Sequence, residues 1–183
     1  MGPAFADVNE AFLQSVIDGD LREVESLLEL GADIETRTKK GSTALIVAAV
    51  QKHTSLVNFL LKSGAKVNAR NRYDDTALLL CATVADIKCM ELLIAKGGDV
   101  NAKNMLGWSP LSKTVRYGHL QAIRFLIKQG ATVDIRLNDG ATPLIIAAVE
   151  QHSGAVHLLL QSGADPNAQN LEGTTAILLA TLA

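Results

Sequence analysis

Gly140-Ala141-Thr142-Pro143-Leu144 decides the fold, because it is one of five copies of a single cassette. Stepping back by 33 residues gives Gly107-Trp108-Ser109-Pro110-Leu111, then Asp74-Asp75-Thr76-Ala77-Leu78, then Gly41-Ser42-Thr43-Ala44-Leu45. Stepping forward gives Gly173-Thr174-Thr175-Ala176-Ile177. A second ladder keeps the same period: Gly31, Gly64, Gly97, Gly130 and Gly163, each about three residues after a Leu-Leu or Leu-Ile pair such as Leu60-Leu61 or Leu126-Ile127. Two ladders locked to one period describe an array of equal units, not a chain wrapped around one central core.

The local chemistry of one unit follows from residues 38–70. Thr43 is placed to cap a helix whose first position is Ala44; Thr142-Pro143 and Ser109-Pro110 state the rule more strongly, since proline suits the first helical position. Leu45, Ala48 and Ala49 give that short helix a small-residue face for close packing. A second helix, roughly Thr54 to Lys62, presents Val57, Leu60 and Leu61 at helical spacing. Gly64 stands where a left-handed C-terminal cap is wanted. The polar stretch that follows is extended and turns at the next cassette glycine. Asp74 replaces that glycine once, and Asp enters the left-handed region more readily than most residues.

The period and the Thr-Pro-Leu cassette resemble the ankyrin repeat. That resemblance implies an all-α repeat solenoid of helix-turn-helix units with β-hairpin tips. It divides the chain into a degenerate opening repeat 5–37, full repeats 38–70, 71–103, 104–136 and 137–169, and a half repeat 170–183, together one domain spanning 5–183. The opening unit keeps Phe12 and Leu27-Leu28 but has lost the cassette. The half repeat should expose Ile177, Leu178 and Leu182, so the chain is expected to continue in a longer protein or to have that end covered. The histidine common after Thr-Pro-Leu is missing: Ile46, Leu79, Ser112, Ile145 and Leu178 stand there instead.

Catalytic signatures are absent. The chain contains no phosphate-binding loop, dinucleotide glycine motif, nucleophile elbow or kinase signature. His53, His119 and His152 share one repeat position, and stacked equivalents lie roughly 8–10 Å apart. Zinc needs its ligands about 2 Å away, so these are read as loop-closing residues. No catalytic residue, metal site or cofactor is expected. Cys81 and Cys89 do not look like a disulfide framework, which fits a reducing compartment. Residues Met1 to Asp7 lack the features of a secretory leader, and no run is long enough to cross a bilayer. The expected location is the cytoplasm, with the nucleus as a second option, and the expected state is a monomer unless the open C-terminal end is covered.

In the ankyrin family the hairpin tips and first helices form a concave face that binds other proteins, so the resemblance implies a protein-interaction scaffold or regulator. Two departures within the chain point to where binding lies. The first is charge. Residues 1–36 hold nine acids against one base, residues 37–136 sixteen bases against six acids, and residues 137–183 four acids and no base. A formal net charge of −2 therefore hides an acidic, basic, acidic striping. In the basic block the last position of each repeat reads Arg37, Arg70, Lys103 and Arg136, a row of cations suited to an acidic partner.

The second departure is repeat 104–136. Where its siblings have Ser42, Asp75 and Ala141 it has Trp108, the single tryptophan; where they have Val47, Leu80 and Ile146 it has Lys113. Arg116 replaces Val50, Thr83 and Val149, and Tyr117 replaces Gln51, Val84 and Glu150. Tryptophan, tyrosine and arginine dominate interface energetics. Arg72 and Tyr73, at the preceding tip, extend the candidate set, as do Met105 and Leu106. The expected partner is a protein with an acidic, partly apolar surface. A second reading is a sensor of a small anionic, nucleotide-like ligand: Gly107–Leu111 with Arg136 and Gly140–Pro143 resembles the nucleotide-sensing ankyrin domain of RNase L. Nucleic acid is disfavoured by an isoelectric point near 6.1 and by the acidic flanks. Asn68, Asn101 and Asn167 occupy a position hydroxylated in some ankyrin proteins, and hairpin hydrogen bonding is the plainer reading.

Overall fold

The computed structural model describes the backbone of residues 3–180, with side chains from 8 to 178; Leu182 lies outside them. The cassette threonines and serine do what their chemistry predicts. Thr43, Thr76 and Thr142 each accept from the backbone N–H three residues on, at 3.4, 3.2 and 3.4 Å. Ser109 makes a full capping box with Ser112. Each of the four capped helices is seven residues long: α3 Ala44–Val50, α5 Ala77–Thr83, α7 Pro110–Arg116 and α9 Pro143–Val149. The second helices are nine: α2 Leu21–Glu29, α4 Thr54–Lys62, α6 Ile87–Ala95, α8 Leu120–Lys128 and α10 Ser153–Gln161. A sixteen-residue α1, Pro3–Asp18, replaces the first helix of the opening unit, and α11, Ala176–Ala180, is that of the half repeat.

These helices form two compact units, residues 1–99 and 100–183. In the first, α3 packs on α1, α4 and α5, while α4 packs on α2 and α6. Phe12, Leu45, Ile46, Leu56, Leu60 and Leu78 are among its fully buried side chains. In the second, α9 packs on α7, α10 and α11, and α8 on α7 and α10. Leu111, Ile123 and Leu126 fill its core, and the small Ala147 and Ala155 are fully buried with them.

Between helix pairs the chain makes tight tips. In each, the first N–H donates to a carbonyl four residues on and the fourth N–H returns to the first carbonyl, as at Leu137, Gly140 and Ala141 (both 3.0 Å). The expected β-hairpins reduce to these turns: among the described residues there is no strand, only an isolated antiparallel bridge between Arg37 and Thr43. Two cross-links per tip are too few for a ladder. Asp74 adopts φ +60°, confirming that it takes the glycine conformation.

Side chains reach from one repeat to the next. Glu35 and Asn68 accept from the backbone N–H of Lys66 and Asp99, at 2.8 and 2.9 Å; Asn101 and Asp134 do so from Thr132 and Asp165, at 2.8 and 3.2 Å. Asn68 also donates to the Gly97 carbonyl at 2.9 Å. This is the hairpin bonding expected of Asn68 and Asn101.

The loop between paired helices holds a feature the sequence signals only faintly. Lys52, Ala85 and Gln151 adopt φ of +61°, +54° and +56°, in register with Gly19 and Gly118. After Lys52 and Gln151 a histidine reaches back to the preceding loop: His53 Nε2 donates to the Ile17 carbonyl at 3.1 Å, and His152 Nε2 to that of Arg116 at 3.0 Å. The cysteines differ from expectation. Cys81 in α5 and Cys89 in α6 are both fully buried and joined as a disulfide with Cα atoms 6.0 Å apart. The antiparallel turn from α5 to α6 brings positions eight apart face to face, so the cysteines lend no support to a reducing compartment.

Candidate functional site

Trp108 owes its position to the tip that precedes α7. Asn104 holds both of its backbone groups: the Asn104 side-chain carbonyl accepts from the Trp108 N–H at 3.0 Å, and the Trp108 carbonyl accepts from the Asn104 N–H at 3.0 Å. Ser109 caps the helix, which places Trp108 just before the cap and Lys113 at the fourth helical position. Those two positions ordinarily join as an apolar staple. Here the Lys113 ammonium lies over the indole, 4.6 Å from its centroid. Arg116, one turn further along the same face, puts its guanidinium 5.1 Å from the same ring. Each such contact is worth about 0.5–1 kcal/mol at an exposed site.

Polar residues within α7 are satisfied locally. Ser112 and Thr114 are buried, and their hydroxyls donate to the Ser109 and Leu111 carbonyls at 3.0 and 2.8 Å. Among the described residues no buried side-chain polar atom lacks a partner. The site's charge therefore lies on its surface. Arg116 faces Glu150, at the end of α9, with Nε 3.7 Å from Oε1. Tyr117 turns to a different neighbour, its ring stacked on His119 at 5.8 Å. Met105 and Leu106, on the tip beside Trp108, are 60% and 65% exposed.

The structure thus joins Trp108, Lys113 and Arg116 in one cluster and leaves Tyr117 48% exposed beside it in sequence. The terminal cations have a different setting. One guanidinium nitrogen of Arg37 donates to the carbonyls of Gly41 and Arg70, both at 2.7 Å; Arg136 does the same to Gly140 and Gln169, at 2.9 and 2.7 Å. These two exposed arginines fasten consecutive tips. Arg70, in the unit 1–99, and Lys103, in the unit 100–183, are exposed. In the unit 1–99, Arg72 leans on Gly41 and donates its N–H to the Lys40 carbonyl at 3.1 Å, beside a 54% exposed Tyr73.

Two supporting residues, Asn104 and Glu150, carry no signal of their own in the sequence, whereas His152 is the loop-closing histidine expected there. Asparagine recurs at the Asn104 position as Asn71 and Asn170, each accepting two backbone N–H groups, so a 33-residue comparison of tips could have found it. Glu150 and His152 lie one repeat downstream, and no local pattern couples them to Arg116. Elsewhere in the unit 100–183, an apolar hollow of about 570 Å³ is lined by Leu144, Ala147, Val156, Leu160, Ala176 and Ile177. It shares no residue with the Trp108 cluster, and it leaves Ile177 and Leu178 about half exposed, as anticipated. Among the described residues there is no metal-binding group of His, Cys, Asp or Glu, and no helix long and apolar enough to cross a membrane.

Comparison with known families agrees with the repeat geometry. A family model described as ankyrin repeats (3 copies) matches residues 12–104 and 79–170. No curated protein matches the chain. The matched family is typically non-enzymatic, and its repeats generally mediate protein–protein interaction.

Proposed function

We propose, since the chain belongs to the ankyrin repeat family, that it is an interaction scaffold or regulator whose contact site centres on Trp108, Lys113 and Arg116. The placing of two cations over one indole carries this reading. In the other full repeats these positions hold small, aliphatic or acidic residues. The partner is a protein whose surface offers carboxylates to Lys113 and Arg116, and apolar groups to Trp108, Met105 and Leu106. Tyr117 and Lys103 belong to the wider contact surface of the same unit, and Arg70, Arg72 and Tyr73 are the corresponding candidates on the unit 1–99.

The double variant Trp108→Ala/Arg116→Ala tests this. Partner capture should be lost while thermal unfolding changes little, because neither residue belongs to the buried core. Equal loss of folding and binding would remove the exposed-anchor role. The same cluster supports a second reading, a small anionic, nucleotide-like ligand stacked against the indole with its phosphates on the cations. A phosphorylated small molecule co-purifying with the wild type, and lost with Trp108, would place that reading first.

A further inference from the structure

We propose that Glu150 is a built-in stand-in for the partner: its carboxylate holds on Arg116 the place that a carboxylate of an acidic peptide segment takes in the complex. Binding then proceeds by exchanging one carboxylate for another. This rests on the Trp108 cluster being the contact site.

Three observations carry it. The first is a matched pair of departures. Among the four full repeats, only 104–136 has arginine at the Arg116 position, and only 137–169 has a carboxylate at the position of Glu150. The two are the residues that meet.

The second is how the carboxylate is delivered. Glu150 begins a loop whose next residue, Gln151, takes a left-handed φ of +56°, and whose third, His152, donates to the Arg116 carbonyl at 3.0 Å. Gly118 makes room for that histidine: a Cβ there would meet the ring at 3.0 Å. The loop that carries the carboxylate is therefore tied to the end of the helix that carries the cation.

The third is that the pair is made to be replaced. At 3.7 Å, with side chains 45% and 39% exposed, it falls short of the 2.7–2.9 Å bonds of a close arginine–carboxylate fork. Exposed pairs of this kind add little stability. A partner that forks Arg116 gains the two short bonds that Glu150 does not supply. A partner with one neutral hydrogen-bonding group gains nothing over Glu150. The stand-in thus selects for a carboxylate over a neutral group, as charge complementarity with Arg116 also requires.

The test is a titration with an end-blocked hexapeptide of glutamate and leucine, read by the fluorescence of Trp108, the single tryptophan. The proteins are the wild type, Glu150→Gln, Arg116→Ala, the double variant Arg116→Ala/Glu150→Gln, and Trp108→Ala/Arg116→Ala read by peptide anisotropy. Glu150→Gln should bind about three- to fivefold more tightly, the scale of one exposed ion pair, and this gain should vanish in the Arg116→Ala background. A gain of equal size without Arg116 would show a general charge effect and overturn the exchange. Unchanged or weaker binding by Glu150→Gln, with binding still lost in Trp108→Ala/Arg116→Ala, would overturn the stand-in while leaving the contact site intact. No binding by any of the proteins would overturn both.

Discussion

A single backbone dihedral links stability to the site at the scale of the residue. Gln151 sits at φ +56° with a side chain that this region penalises by about 1 kcal/mol or more. Gly19 and Gly118 take the same conformation without that cost. Gln151→Gly should accordingly raise the unfolding free energy by about 1 kcal/mol, seen as a higher urea midpoint at unchanged slope. A lower midpoint would mean that the Gln151 side chain makes up for the strain. Gly118→Ala acts in the opposite direction, since both the dihedral and the His152 ring oppose a Cβ. Trp108 was legible in the sequence at this scale because it breaks the chain's own rule. Asn104 was not, because an asparagine in a polar tip looks like every other tip residue until its two acceptor bonds are seen.

At the scale of the element, helix starts followed directly from the cassette. Ser or Thr then Pro or Ala sets a cap and a first turn through bonds spanning three residues, so sequence alone contains the whole interaction. The tips did not follow as well. Their closure takes two backbone bonds, and what holds one tip to the next is a side chain whose acceptors lie up to 33 residues away, as with Arg136 and Gln169. The α5–α6 pairing belongs here too. A short closed loop of this kind contributes about 2–3 kcal/mol through the unfolded chain in the entropic account. Reduction should lower the unfolding free energy by that amount, and thiol titration in denaturant should find no free cysteine before reductant is added. Two titratable thiols without reductant would refute the disulfide.

For the whole molecule, a formal charge of −2 is a poor guide to behaviour, because sixteen of the seventeen bases fall in residues 37–136. Association with an acidic partner should weaken as ionic strength rises, since exposed charges are screened beyond about 8 Å at physiological salt. Affinity that stays constant with salt would leave Trp108, Met105 and Leu106 as the source of binding. Arg37 and Arg136 contribute to that field while also fastening tips, so their replacement should affect folding as well as affinity; Lys113→Ala separates the two effects. The period made the helix pairs of the full repeats readable, because each restates the same local rules. The partner of Arg116 was hidden for the same reason: 34 residues separate it from Glu150, one repeat plus one residue.

That offset bears on how such a chain can be recombined. Cutting at the sequence period, from 104 to 136, would move Trp108, Lys113 and Arg116 into a new host but leave behind the loop that steadies and screens them. The smallest portable cassette runs from Asn104 to His152, and a graft that stops short of His152 should carry over the ring and the cations while losing the selectivity between acidic and neutral ligands.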